Sequence, residues 1–239
     1  MTAPERSVVY IIAKAPRAGV SKTRLCPPLE PAQAAGLARA LLLDTLAAVH
    51  GAGIEVRIMC RDASERAELA ALTGQHLAVH VQAGSGLGDA LESAFRTGLA
   101  DGFAAVGVLA ADSPTVPPAV LHPAFTRLED ERDVALGRSE DGGYYLLAAR
   151  ALHPVLFRDM VWSTAMVAQE TLDRCRATGL RCRLLPTWYD VDDAAGLARL
   201  RTDLAQAPRH VAPHTRAMLA QLARSGPALA GGSAPHRRW

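Results

Sequence analysis

The sequence predicts one doubly wound α/β domain built on a mainly parallel β-sheet, and three observations support this prediction. Apolar runs rich in β-branched residues alternate with helical patterns four times before residue 130, as in chains built from strand–helix–strand units. The first run, 8–13, is apolar at every position, which is typical of a strand buried on both faces. The 239 residues are 49% hydrophobic and 21% charged, a globular composition that one core can hold.

Each of the first four strands is followed by a predicted helix. The strands are expected at 8–13, 54–60, 77–82 and 104–110, and the helices at 30–51, 62–72, 88–99 and 117–128. Pro31 opens the first helix and Gly51 ends it, because proline suits the first helical position and glycine the end. Asp62, with Glu65 three positions on, predicts a capped start for the second helix.

Beyond residue 132 the alternation becomes less regular. Residues 133–137 and 144–149 are predicted as antiparallel strands joined by a Gly-Gly turn, which makes the sheet mixed. Ser163 or Thr164 is expected to cap a helix to residue 178, followed by a strand at 182–185 and helices at 193–204 and 211–224. Residues 1–224 therefore form one predicted domain, and 225–239, with Gly-Gly and prolines, a flexible C-terminal tail.

Composition excludes several classes of function. Twenty-six basic and 24 acidic residues give a net charge of +2, so we expect no nucleic-acid partner and no membrane partner. The four cysteines show no metal-ligand spacing and are too sparse for a disulfide scaffold. The short apolar run near the N-terminus predicts neither a signal peptide nor a spanning helix. The expected location is cytoplasmic.

The loop after the first strand is predicted to bind phosphate groups. It contains both lysines of the chain, Lys14 and Lys22, together with Arg17, Gly19 and Arg24. Ligands of doubly wound folds bind at this edge of the sheet, and cations beside free backbone amides suit phosphate oxygens. The glycine spacing is not that of a Walker A loop. A solvated basic turn is the alternative.

A second glycine-rich loop covers residues 84–88 and includes Gly86 and Gly88. Its spacing lacks the third interval of the dinucleotide fingerprint. The loop is interpreted either as a close backbone approach to a base or ribose, or as an ordinary flexible turn.

Acidic residues follow two strand-like segments. Asp112 comes directly after the fourth predicted strand, and Asp190 and Asp192 follow an extended Trp-Tyr pair. Alternation along an extended chain places Asp190 and Asp192 on one side, and carboxylates from distant strands are typical Mg²⁺ ligands. The alternative for Asp192 or Asp193 is a helix N-cap.

A third candidate region lies between the two antiparallel strands. Asp141 is followed by Gly142, Gly143 and Tyr144; the glycines permit a close backbone approach, and aromatic side chains suit the wall of a small-molecule pocket. Trp162 is assigned to the same acceptor pocket. By local rules alone the segment is a hairpin turn.

Together these motifs resemble a bacterial family of GT-A-fold glycosyltransferase-like proteins, which includes members associated with arsenosugar biosynthesis. The resemblance spans about residues 7–204 and implies the nucleotide-diphospho-sugar transferase fold, which sugar-phosphate nucleotidylyltransferases and deazaflavin-cofactor guanylyltransferases share. The matching segments are Ala13-Lys14-Ala15-Pro16, Gly19, Lys22-Thr23-Arg24-Leu25, Ala110-Ala111-Asp112-Ser113-Pro114, Asp141-Gly142-Gly143-Tyr144-Tyr145, Trp162-Ser163-Thr164 and Tyr189-Asp190-Val191-Asp192.

Carried over to these positions, the resemblance implies that the first loop holds nucleotide phosphates and that Asp112 and Asp192 bind Mg²⁺ or Mn²⁺. Ala90 stands where a basic residue is usual in the family. The predicted site residues are catalytic Lys22, Asp112 and Asp141; nucleotide-binding Ala13, Lys14, Gly19, Lys22, Thr23, Arg24, Gly86, Gly88 and Asp112; acceptor-binding Gly142, Gly143, Tyr144 and Trp162; and metal-binding Asp112 and Asp192.

The predicted function is a metal-dependent glycosyltransferase-like enzyme that uses a nucleotide-diphospho-sugar donor and a small-molecule acceptor. A nucleotidylyltransferase acting on a phosphorylated small molecule is the first alternative, since Lys22 and a metal would stabilise phosphate charge in both reactions. A non-catalytic nucleotide-binding protein is the second alternative.

Overall fold

The computed structural model describes residues 6–74 and 76–225. All but the first residue of the predicted tail lies outside this range. The strands, numbered along the chain, are β1 (Ser7–Ile12), β2 (Glu55–Cys60), β3 (Val79–Val81), β4 (Ala105–Ala110), β5 (Asp133–Arg138), β6 (Tyr144–Ala149) and β7 (Arg181–Leu184). The helices are α1 (Pro31–Gly51), α2 (Ala63–Thr73), α3 (Leu87–Ala100), α4 (Pro118–Thr126), α5 (Val167–Ala177), α6 (Ala194–Gln206) and α7 (Pro213–Ser225).

The seven strands form one sheet in the order β3-β2-β1-β4-β6-β5-β7. Strands β1, β2, β3 and β4 pair in parallel, as do β5 and β7, whereas β6 runs antiparallel to both of its neighbours. The predicted mainly parallel, mixed sheet is confirmed. Because the strand order reverses direction at β1 and β4, a crevice for ligands is expected beyond their carboxyl ends.

Alternate residues of the central strands enter two separate cores. In β1, Val9 and Ile11 belong to one apolar cluster, and Val8 and Tyr10 belong to another on the opposite face of the sheet. Both faces are therefore covered by helices, as the continuous apolar run predicts. A third cluster joins α1 to α6, α7 and the segment around Tyr189.

Helix α1 is the one described helix that is long and apolar enough to cross a membrane by length and composition. No spanning helix was predicted from the sequence. Half of the apolar window is buried inside the fold. Leu42 and Leu46 pack against the sheet, while Leu37 and Leu41 pack against α6 and α7, so contacts on two sides explain the apolar composition of α1.

Two local predictions in the second half of the chain are wrong. Helix α5 begins at Val167 rather than after Ser163 or Thr164: Ser163 has a left-handed backbone with φ 62°, and the Thr164 hydroxyl donates to Val161 O. The segment around Trp188 is not a strand, and its one ladder contact is an isolated bridge with Ser139.

Candidate active site

A cleft of about 920 Å³ opens at the carboxyl ends of the parallel strands. Twelve of the fifteen predicted site residues line it, and they come from loops far apart in the sequence. They are Ala13, Lys14, Lys22, Thr23, Arg24, Gly86, Asp112, Asp141, Gly143, Tyr144, Trp162 and Asp192.

Three carboxylates come together at this cleft, which two of them, Asp112 and Asp192, line. One oxygen each from Asp112, Asp190 and Asp192 lies within 4.8 Å of the others. Asp112 follows β4, and the segment that carries the other two is tied beside it, because Val191 N donates to Asp112 O at 3.2 Å. The structure thus brings together the acidic residues that alternation places on one side of the chain.

Lys22 contacts two of the three carboxylates of this cluster. Its ammonium donates to Asp112 Oδ2 at 2.7 Å and to Asp192 Oδ1 at 2.5 Å, and the side chain is only 13% exposed. The backbone of Lys22 is left-handed, with φ 51°, and a single turn of 3-10 helix follows it. The loop conformation therefore places the side chain of Lys22 in the cluster.

The charges in the cluster shift the protonation of its members. Burial opposes charge on Lys22, but the carboxylates of Asp112 and Asp192 outweigh it and raise the pKa of the ammonium. Burial likewise opposes ionisation of Asp192, yet the Lys22 charge lowers the pKa of that carboxyl. Burial, followed by the negative charges of Asp112, Asp141 and Asp192, raises the pKa of Asp190 to about 6.

The cluster fits a divalent cation. Carboxylate oxygens are the ligands that Mg²⁺ and Mn²⁺ take in proteins, and Asp112 Oδ1 is buried without a hydrogen-bond partner among the described residues. The alternative role of helix N-cap belongs to Asp193, whose side chain accepts from Gly196 N at 2.9 Å. Asp192 is therefore free to face the cluster.

The cations of the first loop point in different directions. Arg17 turns away from the cleft and pairs with Glu68 on α2. Gly19 allows the tight turn at φ 76° and does not line the cleft. Lys14 is exposed in the cleft, and Arg24 is 77% exposed, with Nη1 4.0 Å from Asp192 Oδ2. Lys14 and Arg24 are thus placed to meet a ligand's negative charge.

The second glycine-rich loop is held by the side chain of Asp89 in the first turn of α3. Asp89 accepts hydrogen bonds from Ser85 N at 2.9 Å and Gly86 N at 3.0 Å. Gly88 lies outside the cleft lining, and a Cβ there would lie 2.5 Å from Phe157 O. Ala90 is buried. The turn and its packing therefore already explain Gly86 and Gly88 without a contact to a ligand.

Two polar side chains of the β5–β6 hairpin lack partners in the described part of the chain, and of the two only Tyr144 lines the cleft. Tyr144 packs edge-on against Trp162 with ring centroids 6.3 Å apart, and its hydroxyl is buried with no hydrogen-bond partner among the described residues. Arg138 lies opposite Tyr144 in the β5–β6 ladder, and its Nε is likewise buried without a partner in the described part of the chain. Tyr145 also lines the cleft, but its hydroxyl already has a partner and donates to Pro186 O at 2.9 Å.

Gly142 has a packing role rather than a place in the cleft lining. Its φ is 91°, and a Cβ would lie 2.0 Å from Ala165 O. Its own carbonyl accepts from Ala168 N at 2.9 Å. Gly142 therefore anchors the start of α5 to the β5–β6 turn.

We expect Gly142→Ala to lower the free energy of unfolding by about 2–4 kcal/mol, because it combines a left-handed backbone with a clash against a carbonyl. Urea unfolding measures the change. Gly51→Ala is the matched control, since a Cβ at Gly51 meets nothing within 4 Å, and it should change stability by less than about 1 kcal/mol. Equal stability of the two variants would contradict the packing role.

Several lining residues were missed by the sequence analysis. Cys60, Arg61 and Gln82 line the cleft from the ends of β2 and β3, and Asp190 completes the carboxylate cluster although only Asp192 and Asp112 were assigned as ligands. The rule that parallel strands end at one edge could have found the first three. Alternation from Asp192 was the available signal for Asp190.

Comparison with known proteins identifies the family. A family model described as "Uncharacterized protein conserved in bacteria (DUF2064)" matches residues 43–164, which is just over half of the chain. The chain belongs to the DUF2064 family. This DUF2064 protein is also 32% identical over 173 residues to the 3-phospho-D-glycerate guanylyltransferase of Phenylobacterium zucineum (strain HLK1), across 69% of this chain and 75% of that protein.

Solved structures show the same fold. A crystal structure described as a nucleotide-diphospho-sugar transferase, from Desulfovibrio desulfuricans G20, matches this DUF2064 protein with a TM-score of 0.83 and 29% identity, over 91% of this chain and 95% of that one. A nucleotidyl transferase from Methanothermobacter thermautotrophicus matches with a TM-score of 0.58 and 19% identity, over 85% and 99% of the two chains. The second likeness bears on the fold alone.

These comparisons confirm the nucleotide-diphospho-sugar transferase fold and the expectation that this DUF2064 protein is a transferase. The relative with a named reaction is a guanylyltransferase, which agrees with the nucleotidyl alternative better than with the preferred glycosyl transfer. Glycosyl transfer, the link to arsenosugars, the metal, the cytoplasmic location and the roles of individual residues stay predictions.

Proposed function

We propose that this DUF2064 protein is a nucleotidylyltransferase that joins the nucleotidyl group of a nucleoside triphosphate to the phosphate of a small phosphorylated acid. The reaction named for the Phenylobacterium relative supports this choice, and it points to GTP and 3-phospho-D-glycerate as the first substrates to test. The carboxylate cluster with Lys22 in the cleft supplies charged groups suited to phosphoryl chemistry.

The proposed reaction forms one bond and breaks one. A phosphate oxygen of the acceptor attacks the α-phosphorus, the bond from that phosphorus to the bridging oxygen of the β-phosphate breaks, and pyrophosphate leaves. Lys14 and Arg24 attract the triphosphate, and Lys22 offsets charge on its oxygens. Asp112, Asp190 and Asp192 would hold Mg²⁺ or Mn²⁺, which would offset the negative charge of the phosphates.

The observation that carries the choice of acceptor is the pair formed by Arg138 and Tyr144. Buried polar groups normally have hydrogen-bond partners, yet Arg138 Nε and the Tyr144 hydroxyl lack them among the described residues. Arg138 pairs with Tyr144 beside a β-bulge, and Tyr144 lines the cleft, so an acceptor bound beside Tyr144 is one strand away from Arg138. A guanidinium and a phenol suit the anionic groups of a phosphorylated acid.

Glycosyl transfer is the second candidate, favoured by the description of the Desulfovibrio structure. The two reactions differ in the atom attacked and in the product released. We expect pyrophosphate release from GTP only when a phosphorylated acid is present, and no hydrolysis of sugar nucleotides above background. The opposite result would be release of sugar from a sugar nucleotide without an acceptor, together with no pyrophosphate release from any triphosphate. This result would reject the proposal in favour of glycosyl transfer.

We expect Arg138→Met and Tyr144→Phe each to raise the KM for the acceptor by about tenfold, because each removes a hydrogen bond to a charged group, and to leave the KM for GTP nearly unchanged. Steady-state pyrophosphate assays measure both constants. Tyr145→Phe is the matched control: it removes a hydroxyl that faces Pro186 and should leave both KM values unchanged. An acceptor KM unchanged in both test variants would remove Arg138 and Tyr144 from the acceptor site.

A further inference from the structure

Lys22 pairs with two of the three carboxylates that would hold a divalent cation. Its ammonium uses Asp112 Oδ2 and Asp192 Oδ1 at 2.7 and 2.5 Å, and these two carboxylates belong to the group of three whose oxygens lie within 4.8 Å of one another. A cation that enters this cluster competes with the ammonium for the same carboxylates.

We propose that Lys22 acts as an internal cation that blocks this cluster until nucleotide binds, so that the divalent cation binds tightly only together with the nucleotide. The inference rests on the proposed function, because it takes a nucleotide as the substrate. It concerns how binding of the divalent cation depends on binding of the nucleotide. It does not depend on which acceptor receives the nucleotidyl group.

The free energy of displacing Lys22 explains the block. The lysine side chain is 13% exposed, so an ammonium pushed off the carboxylates has little water to replace them, and an unpaired, partly buried charge is unfavourable. A divalent cation arriving alone must overcome this cost. The two ion pairs of Lys22 therefore weaken metal binding in the nucleotide-free protein.

A bound nucleotide removes the block by offering Lys22 other anions. The phosphates of a nucleotide in the cleft would lie beside the first loop, where Lys14 and Arg24 are exposed. A lysine ammonium on its flexible stem can move from carboxylate to phosphate over a short distance, which a planar guanidinium does less readily. Since coupling between two ligands is reciprocal, the metal should strengthen nucleotide binding by the same factor.

The test measures Mn²⁺ binding without nucleotide, by electron paramagnetic resonance of free Mn²⁺ on the full chain. Lys22→Met should bind Mn²⁺ about tenfold more tightly than the wild type. Lys14→Met is the matched control, since it removes the same charge from the same cleft at an exposed position, and its Mn²⁺ affinity should change by less than about threefold. The melting temperature verifies folding, and Lys22→Gln replaces Lys22→Met if the latter does not fold.

A second titration adds GTP whose α,β-bridging oxygen is replaced by methylene, so that no transfer occurs. Wild-type Mn²⁺ affinity should rise by about tenfold or more with this analogue, whereas the Lys22 variant, which starts without the block, should gain by a clearly smaller factor. Mn²⁺ binding to the Lys22 variant that is no tighter than to the wild type, or no tighter than to Lys14→Met, overturns the proposal. Absence of pyrophosphate release with every acceptor would count against the proposed function and leave the nucleotide-free Mn²⁺ comparison as valid as before.

Discussion

Asp112→Asn is expected to lower turnover by about 100-fold or more while changing the melting temperature by less than about 4 °C. Asp112 contributes a carboxylate to the cluster and accepts from Lys22 at 2.7 Å, so the variant weakens both the candidate metal site and the placement of Lys22. Loss of a residue that only supports a metal ligand typically lowers activity by about 10- to 100-fold. Loss of a ligand itself should lower turnover by at least the upper value of this range. The residue follows the end of β4, outside the apolar cores, and fold stability should therefore be little affected.

Asp193→Asn is the control for this variant, because it makes the same substitution next to the cluster. Asp193 caps α6 through Gly196 N, and asparagine caps helices about as well as aspartate. We expect its turnover to stay within about threefold of the wild type. Pyrophosphate release and calorimetric titration of nucleotide with Mg²⁺ provide the measurements. Asp112→Asn with wild-type turnover and metal response would exclude Asp112 from the reaction.

The sheet and the meeting of Lys22 with Asp112 follow from local rules. Runs such as 8–13 and 104–110 are apolar on both faces, and parallel strands bring their carboxyl ends to one edge. The lysine after β1 and the aspartate after β4 must therefore lie close together, because β1 and β4 are adjacent. The chain has two lysines, and both lie in this loop. Their position also indicated that the loop lines the ligand-binding cleft.

The details that the sequence analysis missed depend on contacts between distant segments. Gly142 was interpreted as a residue that lets an acceptor approach, but its missing Cβ makes room for Ala165 O. Gly88 similarly makes room for Phe157 O. Arg17 has the charge expected of a phosphate ligand, yet Glu68 on α2 captures it. The partner of a loop glycine or a loop cation can be identified only when the position of the distant segment that packs against it is known.

The groups without partners also support the acceptor that we propose. From the sequence, the resemblance to a glycosyltransferase-like family favours glycosyl transfer. The structure places Arg138 opposite Tyr144, with both polar groups buried and lacking partners in the described chain. Burial without a partner is unfavourable, so an anionic acceptor that binds there recovers the lost hydrogen bonds.

Lys22→Arg is expected to lower kcat by about 100-fold although it conserves the positive charge. The ammonium lies between Asp112 and Asp192 at 2.7 and 2.5 Å with a side chain 13% exposed, and a longer, planar guanidinium moves from these carboxylates to a phosphate less readily than a compact ammonium does. A donor that stays at the carboxylates does not stabilise charge that develops on phosphate oxygens, an effect of about 100-fold or more. Because this loss falls on the transition state, kcat should fall more than the KM for GTP rises.

Arg17→Lys is the matched control for Lys22→Arg, since it exchanges the same two residue types in the same loop. Arg17 pairs with Glu68 and hydrogen-bonds Ser64 outside the cleft, and an exposed ion pair contributes about 0–1 kcal/mol to stability. We expect wild-type kcat and KM for this control in the pyrophosphate assay. If Lys22→Arg also retains wild-type kcat, Lys22 acts only as a solvated charge, and the loop loses its assigned role at the phosphates.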